Sequence, residues 1–123
     1  MDAPATPGDW TYRGGTAAFG QPGAQPLLTL RCNAASGTIE IARAGSAVAA
    51  LQMRVLTEFQ DRALDAVPSG TTPPTIVARV PARDALLDAM AFSKGRFAIE
   101  IAGLPSLYAP SWAEVTRVIE DCR

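Results

Sequence analysis

An α+β fold, mainly β, is the architecture this sequence predicts: an antiparallel β-sandwich or curled sheet with one short helix and a C-terminal helix docked on it. Three observations point there. Apolar residues recur at period two through most of the chain, as in Leu51, Met53 and Val55. The period moves toward 3.6 only after Asp84 and after Pro110. There is no βαβ rhythm and no GxGxxG, which removes a Rossmann-type nucleotide site.

In chain order, Met1 to Gly8 is rich in proline and alanine and has no apolar h-region, so it does not read as a signal peptide. It reads as the tether that follows one, with Met1 an expression start in place of a removed leader. We therefore expect a flexible tether over 1–9 and a single β-rich domain over 10–123. Trp10 to Arg13 alternates as a short edge strand ended by Gly14-Gly15, and Ala17 to Phe19 makes another before the turn-rich Gly20-Gln21-Pro22-Gly23. Leu27 to Cys32 and Thr38 to Arg43 form a hairpin across Asn33-Ala34-Ala35-Ser36-Gly37, with Ile39 and Ile41 facing in. Strands follow at Leu51 to Leu56, Arg62 to Val67 and Thr75 to Val80, the last after a proline-rich loop, Pro68 to Pro74.

Asp84 then caps a short helix carrying Leu86, Leu87, Met90 and Ala91, with Gly95 as its left-handed stop. Phe97, Ile99 and Ile101 return to strand spacing, and Leu107-Tyr108 forms a brief return strand after Gly103-Leu104-Pro105. Ser111 and Glu114 have the spacing of a capping box for the terminal helix. Trp112, Val115, Ile119 and Cys122 follow along one stripe, with Arg117 and Asp121 paired on the outside.

At 123 residues, with 48% hydrophobic composition, the chain is long enough to bury a core without metal staples. The net charge is −1, and the basic residues are scattered singly from Arg13 to Arg123. No basic stripe is present to neutralise phosphates, which argues against nucleic acid as a partner. No apolar run approaches the roughly 20 residues of a membrane span. All basic residues except Lys94 are arginine, which we attribute to genome composition rather than to anion recognition.

The two cysteines close the two most strongly patterned segments. Cys32 lies on the face of Leu28 and Leu30, and Cys122 on the stripe of Val115 and Ile119. If those faces pack together, a disulfide ties the last helix to the first long strand and implies an oxidising compartment. Closing a loop of about 90 residues would stabilise the fold by ~4–5 kcal/mol on the loop-entropy model.

The pattern Leu28-x-Leu30-Arg31-Cys32, the Met53-Arg54-Val55 strand, the helix ending before Gly95, Phe97-x-Ile99 and a terminal helix ending in Cys122 resemble small exported proteins of Gram-negative bacteria. They are similar to the invasion-associated locus B family and to accessory proteins found near type VI secretion systems. The ending Trp112-x-Glu114 through Arg117-Val118-Ile119-Glu120-Asp121-Cys122 also looks like that of alphaproteobacterial exported proteins. The further cysteines of the locus B pattern are absent here. The resemblance implies a β-sandwich architecture and a periplasmic or envelope location, and no catalytic residues.

Candidate chemistry is sparse. The chain has no histidine, so Ser-His-Asp and Cys-His catalysis and histidine metal sites are excluded. Two cysteines this far apart are neither a zinc site nor a CxxC redox pair. Asp84 and Asp88 share a helix face, but capping and the helix dipole account for both, with Arg83 or Arg96 to screen them. Ser93-Lys94 is better read as a helix end than as a dyad. Phe92 and Trp112 read as core or staple residues, whereas Trp10, Tyr12 and Tyr108 form a candidate interface patch. We therefore expect an exported, non-enzymatic domain without cofactor or metal that binds an envelope protein. The competing expectation is a small-molecule or glycan-binding module with a groove between sheet and helices, lined by Tyr12 and Tyr108.

Overall fold

The computed structural model describes residues 3–123. Among them, strands β1 (Asp9–Arg13), β2 (Thr16–Gly20), β3 (Leu28–Asn33), β4 (Thr38–Ala44), β5 (Leu51–Leu56), β6 (Asp61–Pro68) and β7 (Thr75–Pro81) come first. Helix α1 (Ala85–Phe92), β8 (Arg96–Ile101), β9 (Leu107–Pro110) and helix α2 (Ala113–Asp121) complete the chain. The strands form one antiparallel sheet in the order β1-β2-β3-β4-β7-β6-β5-β8-β9, curled into a half-barrel. The α+β, mainly β expectation is met by its curled-sheet form.

Period-two alternation places the core on the concave face. Cross-strand neighbours Trp10, Phe19 and Leu28 continue the same inward row, as do Leu30, Ile41 and Ala78. All six are buried. From the other end of the sheet, Met53, Val55, Phe97, Ile99 and Leu107 face the same interior. Arg43 shares the inward parity of Ile39 and Ile41 and is only 6% exposed. Its guanidinium donates to the Ala44 and Pro105 carbonyls, the latter at 2.8 Å, and so ties β4 to the loop before β9.

The curl brings the two outer strands of the sheet together. Thr6 N donates to the Tyr108 carbonyl at 3.1 Å, and Tyr108 N donates back to Thr6 Oγ1 at 2.8 Å. Gly8 (φ 148°) lies so close to β2 that a Cβ there would meet the Gly20 carbonyl carbon at 2.9 Å. The expected tether therefore needs correction within the described residues: its second half is stitched to β9 and packed against β2, and Asp9 already belongs to β1. Met1 and Asp2, the start of that tether, lie outside the described residues.

Both helices close the concave face. Asp84 caps α1 by accepting from Leu86 N at 2.8 Å, as its position predicts. Leu86, Leu87 and Met90 of α1 and Val115, Val118 and Ile119 of α2 are buried in the same core as the strands. Helix α2 packs against α1 and across β1, β2 and β3.

The capping box is a correction. Ser111 Oγ donates to the Met90 carbonyl at 2.8 Å, which fastens the start of α2 to α1. The helix begins one residue later with Trp112 as its N-cap, and no side chain caps it. Glu114 stands in the first turn, where its charge favours the helix dipole without a capping bond.

Candidate functional site

Cys32 and Cys122 meet as the packing of β3 and α2 requires. Their sulfurs stand at disulfide distance, with Cα atoms 5.5 Å apart and 90 residues of chain between them. Beside them, the Tyr12 hydroxyl donates to Asp121 Oδ2 at 2.7 Å, and Arg117 lies over the Tyr12 ring, 4.3 Å from its centroid. Arg117 also pairs with Asp121, as the i,i+4 spacing predicts. The bond to Asp121 raises the Tyr12 phenol above its ordinary pKa. Tyr12 is thus engaged in holding α2 on β1.

The other two aromatics of the expected patch are also structural. Trp10 is 4% exposed, its ring packs on Phe19 and Phe97, and its indole N–H donates to the Pro110 carbonyl. Calling Trp10 an interface residue is therefore wrong: closure of the sheet buries it, and only the sheet order reveals that. Tyr108 is half-buried in the Thr6 seam. The space expected to form a groove between sheet and helices is filled by Leu86, Leu87, Met90, Val115 and Val118, each fully buried.

The acids of α1 are each taken by an arginine, though not by the ones expected. Arg62, not Arg83, pairs with Asp84 at 2.7 Å and holds its carboxyl below the usual range. Arg123, not Arg96, grips Asp88 through both terminal nitrogens, at 2.8 and 3.0 Å. Ser93 is buried and bonded to the Ala89 carbonyl, whereas Lys94 points to solvent.

Sequence reasoning missed the exposed apolar end of the molecule. Thr57 Oγ1 accepts from Phe59 N and Gln60 N at 3.1 and 2.9 Å, which shapes the turn between β5 and β6. Glu58 N donates to Ser93 Oγ at 2.9 Å, and Glu58 Oε2 accepts from Lys94 N at 2.8 Å. These bonds pin the turn to the end of α1. They set Phe59 and Phe92 on either side of an apolar notch of about 240 Å³ that Ala85 and Ala89 also line. Phe59 is 61% exposed and Phe92 65%, so Phe92 is not the core residue its helical position suggested. Trp112, read with it as a core or staple residue, is also exposed. Phe59 in an otherwise polar turn was the available signal.

No known protein family, no curated protein and no solved structure matches this chain. The geometry above is therefore the ground for a functional reading.

Proposed function

We propose that this chain is a non-enzymatic, exported domain of the bacterial envelope that acts by binding another protein, with Phe59 and Phe92 at the contact. The fastening of these two rings carries the reading. A turn ordered by Thr57 and Glu58 holds two phenylalanines in solvent, where burial against a partner is favourable and little ordering entropy remains to be lost. An apolar side chain of the partner seated between the rings would be the centre of such an interface, with Gln60 and Asp88 as its polar rim.

Two further points support the compartment. The Cys32–Cys122 pair has the spacing of a bridge that persists in oxidising surroundings. The resemblance of the sequence to locus B-like exported proteins points the same way.

The test is photo-crosslinking from positions 59 and 92 in cells that make the protein, followed by titration of the purified partner. Phe59→Asp combined with Phe92→Asp is expected to weaken binding by about tenfold or more with the melting point preserved. Unchanged affinity in that variant overturns the contact, and alkylatable thiols on protein confined to the cytosol overturn the export.

A further inference from the structure

On the convex face, away from the two phenylalanines, a charge cluster stands in one cross-strand row. Register aligns Arg31 on β3 with Glu40 on β4 and Glu40 with Arg79 on β7. Glu40 is 8% exposed although it points outward, because its neighbours cover it. Its Oε1 accepts from Arg31 Nε at 3.1 Å and Nη2 at 2.6 Å. Its Oε2 accepts from Arg79 Nε at 3.1 Å and Asn33 Nδ2 at 3.4 Å.

The carboxylate is thus well supplied with donors, but the arginines are not supplied with acceptors. Among the described residues, neither terminal nitrogen of Arg79 and only one of Arg31 has a protein acceptor. Both side chains are more than half exposed. One carboxylate therefore orients two guanidiniums and leaves free N–H donors on both, with Asp65, bonded to Gln52, as the next acid beside Arg79.

These arginines border a concavity of about 400 Å³. Its wall holds three hydroxyls gathered on Ser69, whose Oγ is 2.7 Å from Thr71 Oγ1 and 2.9 Å from Thr75 Oγ1. Val67 and Val77 supply an apolar surface. Guanidinium forks match carboxylates, hydroxyl clusters match polyols, and the valines match the C–H face of a ring.

We propose that this concavity binds a sugar acid, a hexuronate carrying one carboxylate and several hydroxyls. Its carboxylate lies on Arg79 and Arg31, its hydroxyls donate to Thr71 Oγ1 and Thr75 Oγ1, and its ring covers the valines. This site is separate from the protein contact above, and either stands without the other.

Galacturonate titrated into labelled protein, followed by amide shifts, tests it. A saturable shift around Thr75–Arg79 with a dissociation constant on the order of 1 mM is expected. Arg79→Ala should weaken binding about tenfold, and Arg79→Lys should restore it only in part because an ammonium lacks the fork. Val67→Glu, which leaves Glu40 untouched, should weaken it as well by placing a negative charge at the rim. Trigalacturonate binding more tightly than the monomer assigns the site to acidic glycan chains, and equal binding assigns it to the free sugar acid. Absence of a saturable shift, equal binding of galactose or acetate, or full binding by folded Arg79→Ala and Val67→Glu variants overturns the proposal.

Discussion

The indole N–H of Trp10 donates to the carbonyl of Pro110 at 2.7 Å, joining residues 100 positions apart. One lies in β1 and the other in β9, the outermost strands of the sheet order. The bond sits beside the contacts of Trp10 with Phe19 and Phe97, at 5.3 and 6.4 Å between centroids. A large side chain thus closes the interior and supplies the polar bond across the seam.

Trp10→Phe keeps most of the ring and removes the donor. It is expected to cost about 1–2 kcal/mol, since the Pro110 carbonyl at a partly buried site loses its partner. Trp10→Ala should cost about 3–5 kcal/mol through the cavity it leaves. Urea denaturation of the oxidised protein measures both, and a Trp10→Phe variant as stable as the wild type would mean that the indole bond contributes nothing.

Cys32→Ser should destabilise the oxidised protein by ~2–5 kcal/mol, as loss of a native bridge across a long loop does. Melting with and without reductant checks it: the wild type should lose stability on reduction and the variant should not change. A wild type indifferent to reductant refutes the expectation.

Ser111→Ala and Glu114→Ala should now separate. Ser111→Ala leaves the Met90 carbonyl without its hydroxyl donor and should cost about 1–2 kcal/mol. Glu114→Ala removes only a charge near the helix dipole and should cost ~0.3–1 kcal/mol. Reversal of that order in denaturant titration would restore the capping box.

Stability should fall in acid through Glu40. Hydrogen bonds from Arg31, first, and then Asn33 and Arg79 hold its carboxyl below the ordinary value of 4.5. A folded-state pKa lower than the unfolded one gives a contribution present above the unfolded pKa and lost as pH falls through the folded one. The loss therefore sets in below 4.5 and deepens with further acid. Glu40→Gln should flatten that limb in denaturant titrations across this range, whereas an unchanged acid limb would place the effect in other carboxylates such as Asp84.

Much of the fold was legible because alternation and helical spacing are local. Leu51 to Leu56 and the hairpin turn after Asn33 fall where the pattern places them. Asp84 caps α1 because a cap depends only on its own backbone neighbours. Ser111 carried the same local signal and failed, because Met90, twenty-one positions earlier, was the acceptor its hydroxyl found.

The candidate sites were hardly legible. Trp10 and Phe92 exchange their expected environments, since burial depends on which strands and helices come to cover a residue. Arg31, Glu40 and Arg79 look like scattered charges until β4 pairs with β7 across the chain.

By itself the sequence determined the β-rich class, the positions of strands and helices, the inward parity of each strand and the absence of histidine chemistry. All of these follow from residue types at short spacing. Tertiary structure decided the strand order, the seam at Trp10, the meeting of the two cysteines and the faces left open to solvent. These depend on contacts between residues tens of positions apart, whose pairing is set by how the whole sheet curls around its core.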